Sequence, residues 1–119
     1  MSILNYVNLA AEPLDTKKTK RILIVDDEPR LRSSYALLLS GSERCIEECA
    51  TGIEAQARLD KRDIDVVVLD LNLPDISGIE IMQWMQQNHL DTSVVVFSAD
   101  EAITSAILAL RQGAFEFIR

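Results

Sequence analysis

Acidic and hydroxyl side chains stand directly after three short apolar segments of this sequence. Asp26 and Asp27 follow the first segment, Asp70 follows a second, and Ser98 follows a third. If the first two segments are neighbouring strands, their three carboxylates crowd one small pocket and repel one another unless a cation neutralises them. Oxygen ligands of this kind favour Mg²⁺, which binds one or two carboxylates and keeps several waters. The spacing therefore predicts a magnesium site.

A carboxylate held beside Mg²⁺ can also act as a nucleophile, as it does in enzymes that form an aspartyl phosphate. The metal would offset charge both on that carboxylate and on an incoming phosphoryl group. A hydroxyl such as that of Ser98 can donate a hydrogen bond to a phosphoryl oxygen. These residue types therefore indicate phosphoryl transfer as the chemistry of the predicted site.

Several of the polar residues also have purely structural roles open to them. Asp26 and Asp27 could cap the first predicted helix, although capping requires no third acid at another strand end. Asp75 and Ser77 are expected to be turn or cap residues before the third helix rather than ligands. His89 is expected to be a solvated residue at a helix end, and as the single histidine it gives no support to a Ser-His or Cys-His triad.

Short apolar runs alternate with helical patterns from Arg21 onward. The runs at 21–25 and 65–69 are too short for helices and apolar on both faces, as in buried parallel strands. The predicted strands are 21–25, 45–51, 65–69, 93–97 and one that begins at Phe115. The predicted helices begin at Pro29, at Ile53 and after Gly78, with a fourth over 102–112. Alternation of this kind predicts a parallel sheet covered on both faces, with its working residues at the carboxyl ends of the strands.

The composition fits one globular domain, because 48% of the 119 residues are hydrophobic and 26% are charged. A formal net charge of −7 argues against direct binding of nucleic acid, which needs a basic face. No apolar run approaches the roughly 20 residues that span a bilayer, so no membrane association is expected. Cys45 and Cys49 lack a second Cys/His pair for zinc and are expected to be reduced thiols of a cytoplasmic protein.

The first twenty residues differ from the rest of the sequence. Ile3, Leu4 and Val7 could form one face of a short helix, but Pro13 and the polar run at 15–20 are typical of a linker. We therefore divide the sequence into a leader or linker at 1–20, disordered rather than packed, and a domain at 21–119.

Four motifs in register resemble those of response regulator receiver domains, the CheY-like family. They are Val25-Asp26-Asp27-Glu28-Pro29, Val68-Leu69-Asp70-Leu71-Asn72-Leu73-Pro74 with Gly78, Phe97-Ser98-Ala99, and Gly113-Ala114 with Phe117. The similarity covers about residues 20–119. It implies a flavodoxin-like α/β fold, a doubly wound five-stranded parallel sheet in the order 2-1-3-4-5 with helices on both faces.

The resemblance also implies which residues form the site. It makes Asp70 the phosphoacceptor. It makes Asp27 and Asp70 direct ligands of Mg²⁺, with Asp26 acting largely through water and Asn72 contributing its backbone carbonyl. Ser98 takes the position of the family's switch hydroxyl.

The remaining motif positions are assigned in the same way. Phe117 takes the position of the aromatic residue that changes rotamer when the switch hydroxyl moves toward the phosphate. Pro74 and Gly78 resemble the turn that shapes the loop after the acceptor.

The implied function is two-component signalling. A sensor histidine kinase or a phosphotransfer protein would supply the phosphoryl group from a phosphohistidine. The phosphorylated domain would then change the face formed by helix 4 and strand 5, which could form a homodimer or control a C-terminal effector domain. Such a domain is a phosphoacceptor switch that assists its own phosphorylation and dephosphorylation, not an enzyme with a separate substrate.

One departure from the family pattern leaves alternatives open. The family has a Lys followed by Pro just past the fifth strand, at what would be position 120, and then a fifth helix. We expect this sequence to be a piece of a longer protein, truncated before that helix. The leader or a second copy of the chain could cover the part of the sheet that the helix would cover. A receiver-fold interaction module that works without phosphorylation is the alternative function. A phosphatase with an aspartate nucleophile ranks last, because Asn72 stands where its second acid is needed.

Overall fold

Strands and helices alternate in the computed structural model, which describes residues 19–97 and 115–118 together with Leu4 and Val7. The strands are β1 (Lys20–Val25), β2 (Arg44–Cys49), β3 (Val66–Asp70), β4 (Ser93–Phe97) and β5 (Phe115–Ile118), and the helices are α1 (Pro29–Leu39), α2 (Gly52–Leu59) and α3 (Gly78–Gln87). The strands pair in parallel in the order β2-β1-β3-β4-β5. The predicted fold and strand order are confirmed, and the helix predicted at 102–112 lies outside the described residues.

The central strands bury side chains on both faces of the sheet, because successive residues of a strand point to opposite sides. One face packs against α2 and α3, with Leu23, Val67 and Val96 beneath Leu59 and Ile81. The opposite face carries the α1-face cluster, which we define as Val7, Ile22, Ile24, Leu39, Val66, Val68 and Val95. These two apolar layers fix the strands whose ends carry the candidate site.

The N-terminal segment contributes to that second layer. Val7 is completely buried in the α1-face cluster, and Leu4 packs against it while remaining partly exposed. The expectation of an unpacked leader is therefore wrong at these two residues. In addition, β1 begins at Lys20, one residue before the predicted domain boundary.

The helices begin at residues whose side chains satisfy their first amides. Glu28 caps α1 by accepting from the amide of Arg30, and Pro29 follows at the first helical position, where a missing amide proton costs nothing. Ser77 caps α3 by accepting from the amide of Glu80, as expected for a cap residue. His89 is exposed just beyond α3, also as expected.

The two cysteines form no disulfide, consistent with the prediction of free thiols. Burial raises the pKa of the Cys49 thiol to about 11, so this thiol is protonated at neutral pH. None of the helices in the described part of the chain is both long and apolar enough to cross a bilayer.

The edge strand β2 is tied by ion pairs to helices on both faces of the sheet. Glu47 accepts from two nitrogens of Arg58 in α2, at 2.7 and 2.8 Å. Glu48 accepts from Nε of Arg32 in α1, at 3.3 Å. Consecutive residues of a strand thus hold helices on opposite sides.

The Glu47–Arg58 pair leads to a prediction about pH. Its hydrogen bonds from Arg58 lower the pKa of Glu47 in the folded chain, so the pair stabilises the fold above the unfolded pKa and this contribution is lost as the pH falls through the folded pKa. We expect Glu47→Gln to lower the free energy of unfolding by about 0.5–1 kcal/mol at pH 7, the range of partly exposed ion pairs. The difference from the native chain should shrink in acid.

Urea unfolding at neutral pH and across the acid range measures this difference. Glu43→Gln, at an exposed position just before β2, serves as the control. The role of the ion pair would be contradicted if the loss of unfolding free energy in Glu47→Gln stayed constant down to the lowest pH. It would also be contradicted if Glu43→Gln showed the same loss.

Candidate functional site

The carboxylates of Asp26, Asp27 and Asp70 converge at the carboxyl end of the sheet. Each offers one oxygen, and these oxygens all lie within 4.8 Å of one another. The cause is topological: β1 and β3 are adjacent and pair Val25 with Leu69, so the residues that follow both strands reach the same edge. The structure thus brings two adjacent acids together with a third that lies more than 40 positions further along the sequence.

Asp26 is the most deeply placed of the three, with 1% of its surface exposed. Its Oδ1 accepts a hydrogen bond from the backbone amide of Glu28 at 2.9 Å. Its Oδ2 is buried with no hydrogen-bond partner among the described residues. Burial, and then the negative charge of Asp27, raise the pKa of Asp26. An unpartnered, buried carboxylate oxygen is costly, and a bound cation would remove that cost.

Asp70 is the last residue of β3 and is half-buried. Its Oδ1 accepts a hydrogen bond from the backbone amide of Asn72 at 3.1 Å. Burial raises the pKa of Asp70, and the charges of Asp26 and Asp27 raise it further. Asp27 is exposed, so the pocket opens to solvent on its side.

These observations fit Mg²⁺. The donor set consists of hard carboxylate oxygens, the Asp26 carboxylate has a buried oxygen without a partner, and the exposed side leaves room for the waters that Mg²⁺ retains. Asp26, Asp27 and Asp70 would hold the ion. Asn72 lies two residues after Asp70 and is exposed, and the contribution of its carbonyl stays a prediction.

The capping alternative for the first two acids is wrong. The cap of α1 is Glu28, whose carboxylate accepts from the amide of Arg30 at 2.9 Å. Asp26 instead accepts the amide of Glu28 through Oδ1, and its carboxylate is one of the three in the cluster of acids. The two aspartates are therefore not occupied by the helix.

Arg32 is a member of the site that sequence reasoning missed. Its Nη1 donates to the backbone carbonyl of Asp26 at 2.8 Å, and its Nε donates to Glu48 at 3.3 Å. One side chain thereby ties the loop after β1 to the end of β2. Its position on α1, six residues after Asp26, was the only signal in the sequence.

The loop after Asp70 is held to α2 rather than to the helix that follows it. Both carboxylate oxygens of Asp75 accept amides of α2, from Gly52 and from Ile53, each at 2.8 Å. Burial raises the pKa of Asp75, but the backbone hydrogen bonds that it accepts lower this pKa by more. The pKa of Asp75 is therefore below its ordinary value. Asp75 was expected to be a turn or cap residue before α3, but the cap of α3 is Ser77, and Asp75 instead binds the first two amides of α2, whose own N-cap is Thr51.

Gly78 allows the start of α3 to approach the end of β3. Its amide donates to the carbonyl of Leu71 at 3.1 Å. A Cβ at this position would lie 2.8 Å from Cα of Leu71 and 2.9 Å from the carbonyl oxygen of Asp70. Because both of these atoms belong to the backbone, only glycine fits without moving the strand end.

The two predicted switch residues are placed only in part. Phe117 lies in β5, beside Val96 of β4 in the strand register. Asp70 pairs with Phe97 at the end of β4. Ser98, the next residue, lies outside the described residues, and the switch roles of Ser98 and Phe117 stay predictions.

Comparisons with known proteins agree on one family. Residues 22–119 match the family model of the response regulator receiver domain. The chain is 34% identical over 99 residues to the response regulator protein PilR of Pseudomonas aeruginosa, covering 83% of this chain and 22% of PilR. It is 35% identical over 98 residues to the transcriptional regulatory protein TcrA of Mycobacterium tuberculosis, covering 82% of this chain and 39% of TcrA. The chain thus spans well under half the length of these curated relatives.

Solved structures show the same similarity. The response regulator TrrA of Thermotoga maritima, in complex with Mg²⁺-BeF, aligns with a TM-score of 0.73 and 27% identity, covering 85% of this chain and 88% of that one. The signal receiver domain of a LuxO repressor protein from Vibrio parahaemolyticus aligns with a TM-score of 0.73 and 29% identity, covering 83% and 78%.

Proposed function

This chain belongs to the response regulator receiver family of two-component systems, and on that premise we propose that it accepts a phosphoryl group on Asp70 with the help of Mg²⁺. The observation that carries the proposal is the convergence of three carboxylates within 4.8 Å, one of them with a buried, unpartnered oxygen. The relation to TrrA, which has been crystallised with Mg²⁺-BeF, supports the same chemistry.

In the proposed reaction, a carboxylate oxygen of Asp70 attacks the phosphorus of a phosphohistidine on a sensor kinase or phosphotransfer protein. An O–P bond forms as the N–P bond breaks, and the imidazole nitrogen of the donor keeps the electron pair. Mg²⁺, when bound, offsets the negative charge of the phosphoryl group. Asp26, Asp27 and Asp70 would hold the cation, and the amide of Asn72 orients the Asp70 carboxylate. Attack by water on the acyl phosphate later resets the domain.

The consequence we propose is a two-state switch. The aspartyl phosphate draws the hydroxyl of Ser98 inward, Phe117 follows, and the face around β5 changes. The change acts on a C-terminal effector domain or on a second copy of the chain. The relatives support an effector, because TcrA is a transcriptional regulatory protein of which the chain matches only 39%. We place this switch in the cytoplasm and count it as a phosphoacceptor rather than an enzyme.

Treatment of the chain with acetyl phosphate tests the proposal. We expect one phosphoryl group per chain by intact mass in Mg²⁺, with the label on the peptide that contains Asp70, and no label in EDTA. A label that maps to another residue, or one that forms equally well without a divalent ion, would contradict it.

A further inference from the structure

Two adjacent residues of the loop between β3 and α3 attach it to the first turn of α2. Both carboxylate oxygens of Asp75 are used in this attachment, one by the amide of Gly52 and the other by the amide of Ile53, each at 2.8 Å. Ile76 is partly buried and lies so close to the same glycine that a Cβ there would be 2.3 Å from Cγ1 of the isoleucine. The attachment therefore combines charge-assisted hydrogen bonds with a close apolar contact.

The helix that receives this loop also has an N-cap of its own. The hydroxyl of Thr51 accepts the amide of Glu54 at 3.2 Å. The first amides of a helix have no partner within the helix, and their partial positive charge suits a carboxylate. Local capping leaves the amides of Gly52 and Ile53 to Asp75. The start of α2 is thus a fixed point for the loop.

Asn72 lies between this fixed point and the end of β3. Four residues separate Asp70, the last residue of β3, from Asp75. Asn72 is the second of them, and its amide donates to Oδ1 of Asp70 at 3.1 Å. Pro74 directly precedes Asp75, and its ring fixes φ. A segment this short that is held at both ends has few conformations, so the direction of the Asn72 backbone depends on both attachments.

We infer that Asp75 is a positioning residue of the magnesium site, which acts by holding the backbone of Asn72 in place from the first turn of α2. The inference rests on the proposed function and on the predicted contribution of the Asn72 carbonyl to Mg²⁺ binding. Asp75 is not one of the three converging acids, and its oxygens are engaged by the amides of α2. A ligand that is already held in position loses less conformational freedom when the ion binds. Loss of the attachment should therefore weaken Mg²⁺ binding although the three acids remain.

Isothermal titration of the chain and its variants with Mg²⁺ tests this role. We expect Asp75→Ala to weaken Mg²⁺ binding by about tenfold, as is usual when a group that orients a metal ligand is removed. Thr51→Ala is the matched control, because it removes the cap of the same helix and leaves the loop attached. Both variants should raise the ratio of unfolded to folded chain in urea, by about fivefold for the loss of a cap. The Mg²⁺ affinity of Thr51→Ala should nevertheless stay within about twofold of the native value.

Two further measurements follow the attachment itself. Asp75→Asn keeps one acceptor oxygen, so its Mg²⁺ affinity should lie between those of the native chain and Asp75→Ala. Amide hydrogen exchange at Gly52 and Ile53 should be at least about tenfold faster in Asp75→Ala than in the native chain, because both amides lose their acceptor. Unchanged exchange at these amides would show that the attachment is absent and would overturn the inference.

The Mg²⁺ affinities separate this inference from the proposed function. Equal affinity of the native chain and Asp75→Ala would overturn the inference and leave the proposed function standing. An equal loss of affinity in Thr51→Ala would also overturn it, because the cause would then be the start of the helix rather than the attachment of the loop. A native chain that binds no Mg²⁺ would overturn both.

Discussion

Asp70→Asn will abolish labelling by acetyl phosphate in Mg²⁺ and will also make the metal-free domain harder to unfold. Labelling is lost because an amide oxygen does not form the acyl phosphate that the carboxylate forms. The fold is retained because an Asn side chain can still accept the hydrogen bond that Asp70 now receives from the amide of Asn72. An acid that serves function rather than stability is identified by this combination, in which its replacement abolishes labelling but stabilises the fold.

The expected sign of the stability change follows from the pKa. Burial and the neighbouring acids raise the pKa of Asp70 above its ordinary value. Between the unfolded and the folded pKa, the native chain binds more protons than the unfolded chain, so stability falls as the pH rises through that window and stays lower above it. Above the folded pKa the native chain carries this full penalty. Asn removes it, and we expect a gain of about 1 kcal/mol, a usual size for one site.

Two measurements check the prediction. Intact mass after treatment with acetyl phosphate reports the label, and urea unfolding in EDTA and in Mg²⁺ reports stability. Mg²⁺ should stabilise the native chain more than the variant. Asp91→Asn, at an exposed position outside the acidic cluster, should behave like the native chain in both assays. Persistent labelling of Asp70→Asn, or a metal-free variant less stable than the native chain, would refute the assignment of Asp70.

Gly78→Ala will destabilise the domain by about 3 kcal/mol, at the upper end of the usual cost of forcing extra atoms into a packed region. The new methyl group would meet Cα of Leu71 and the carbonyl oxygen of Asp70 at less than 3 Å. Neither atom can turn aside as the end of a flexible side chain could. The strand end that presents the acceptor must therefore move, and Mg²⁺ affinity should fall together with stability.

Gly41→Ala is the matched control for this substitution. A Cβ there would meet only the side chain of Arg44, at 3.7 Å, which is an ordinary contact. We expect its stability in urea to stay within about 0.5 kcal/mol of the native chain. If the two alanine variants were equally stable, the claim that only glycine fits where α3 approaches β3 would be wrong.

The sequence allowed the sheet and the acidic cluster to be predicted because both depend on short-range patterns. Continuous β-branched runs identify buried parallel strands, and parallel strands end at a common edge. That β1 and β3 are neighbours, which places Asp26 near Asp70, was implied by the resemblance to receiver domains. The predicted bounds of β4 at 93–97 and the first residue of β5 agree with the structure. At each of these boundaries, the apolar run of the strand borders a polar or glycine-containing segment.

The features that escaped prediction are contacts between distant segments. Asp75 precedes α3 and looks like its cap, yet it reaches the amides of α2 because the fold places that helix beside the loop. In the sequence, Arg32 is simply a charged residue of a predicted helix. Its contact with Glu48, near the end of β2, becomes apparent only in the folded structure. Leu4 and Val7 have helical spacing, but two apolar residues do not reveal whether a surface exists to receive them.

The ion-paired strand β2 has a consequence for how the molecule behaves in concentrated solution. An unprotected outermost strand offers its free amides and carbonyls to strands of other molecules, which is a common start of aggregation. Here Glu47 and Glu48 place adjacent negative charges along that border, and Arg58 and Arg32 flank it from the two faces. An incoming strand would have to strip water from all four groups, so this border resists self-association.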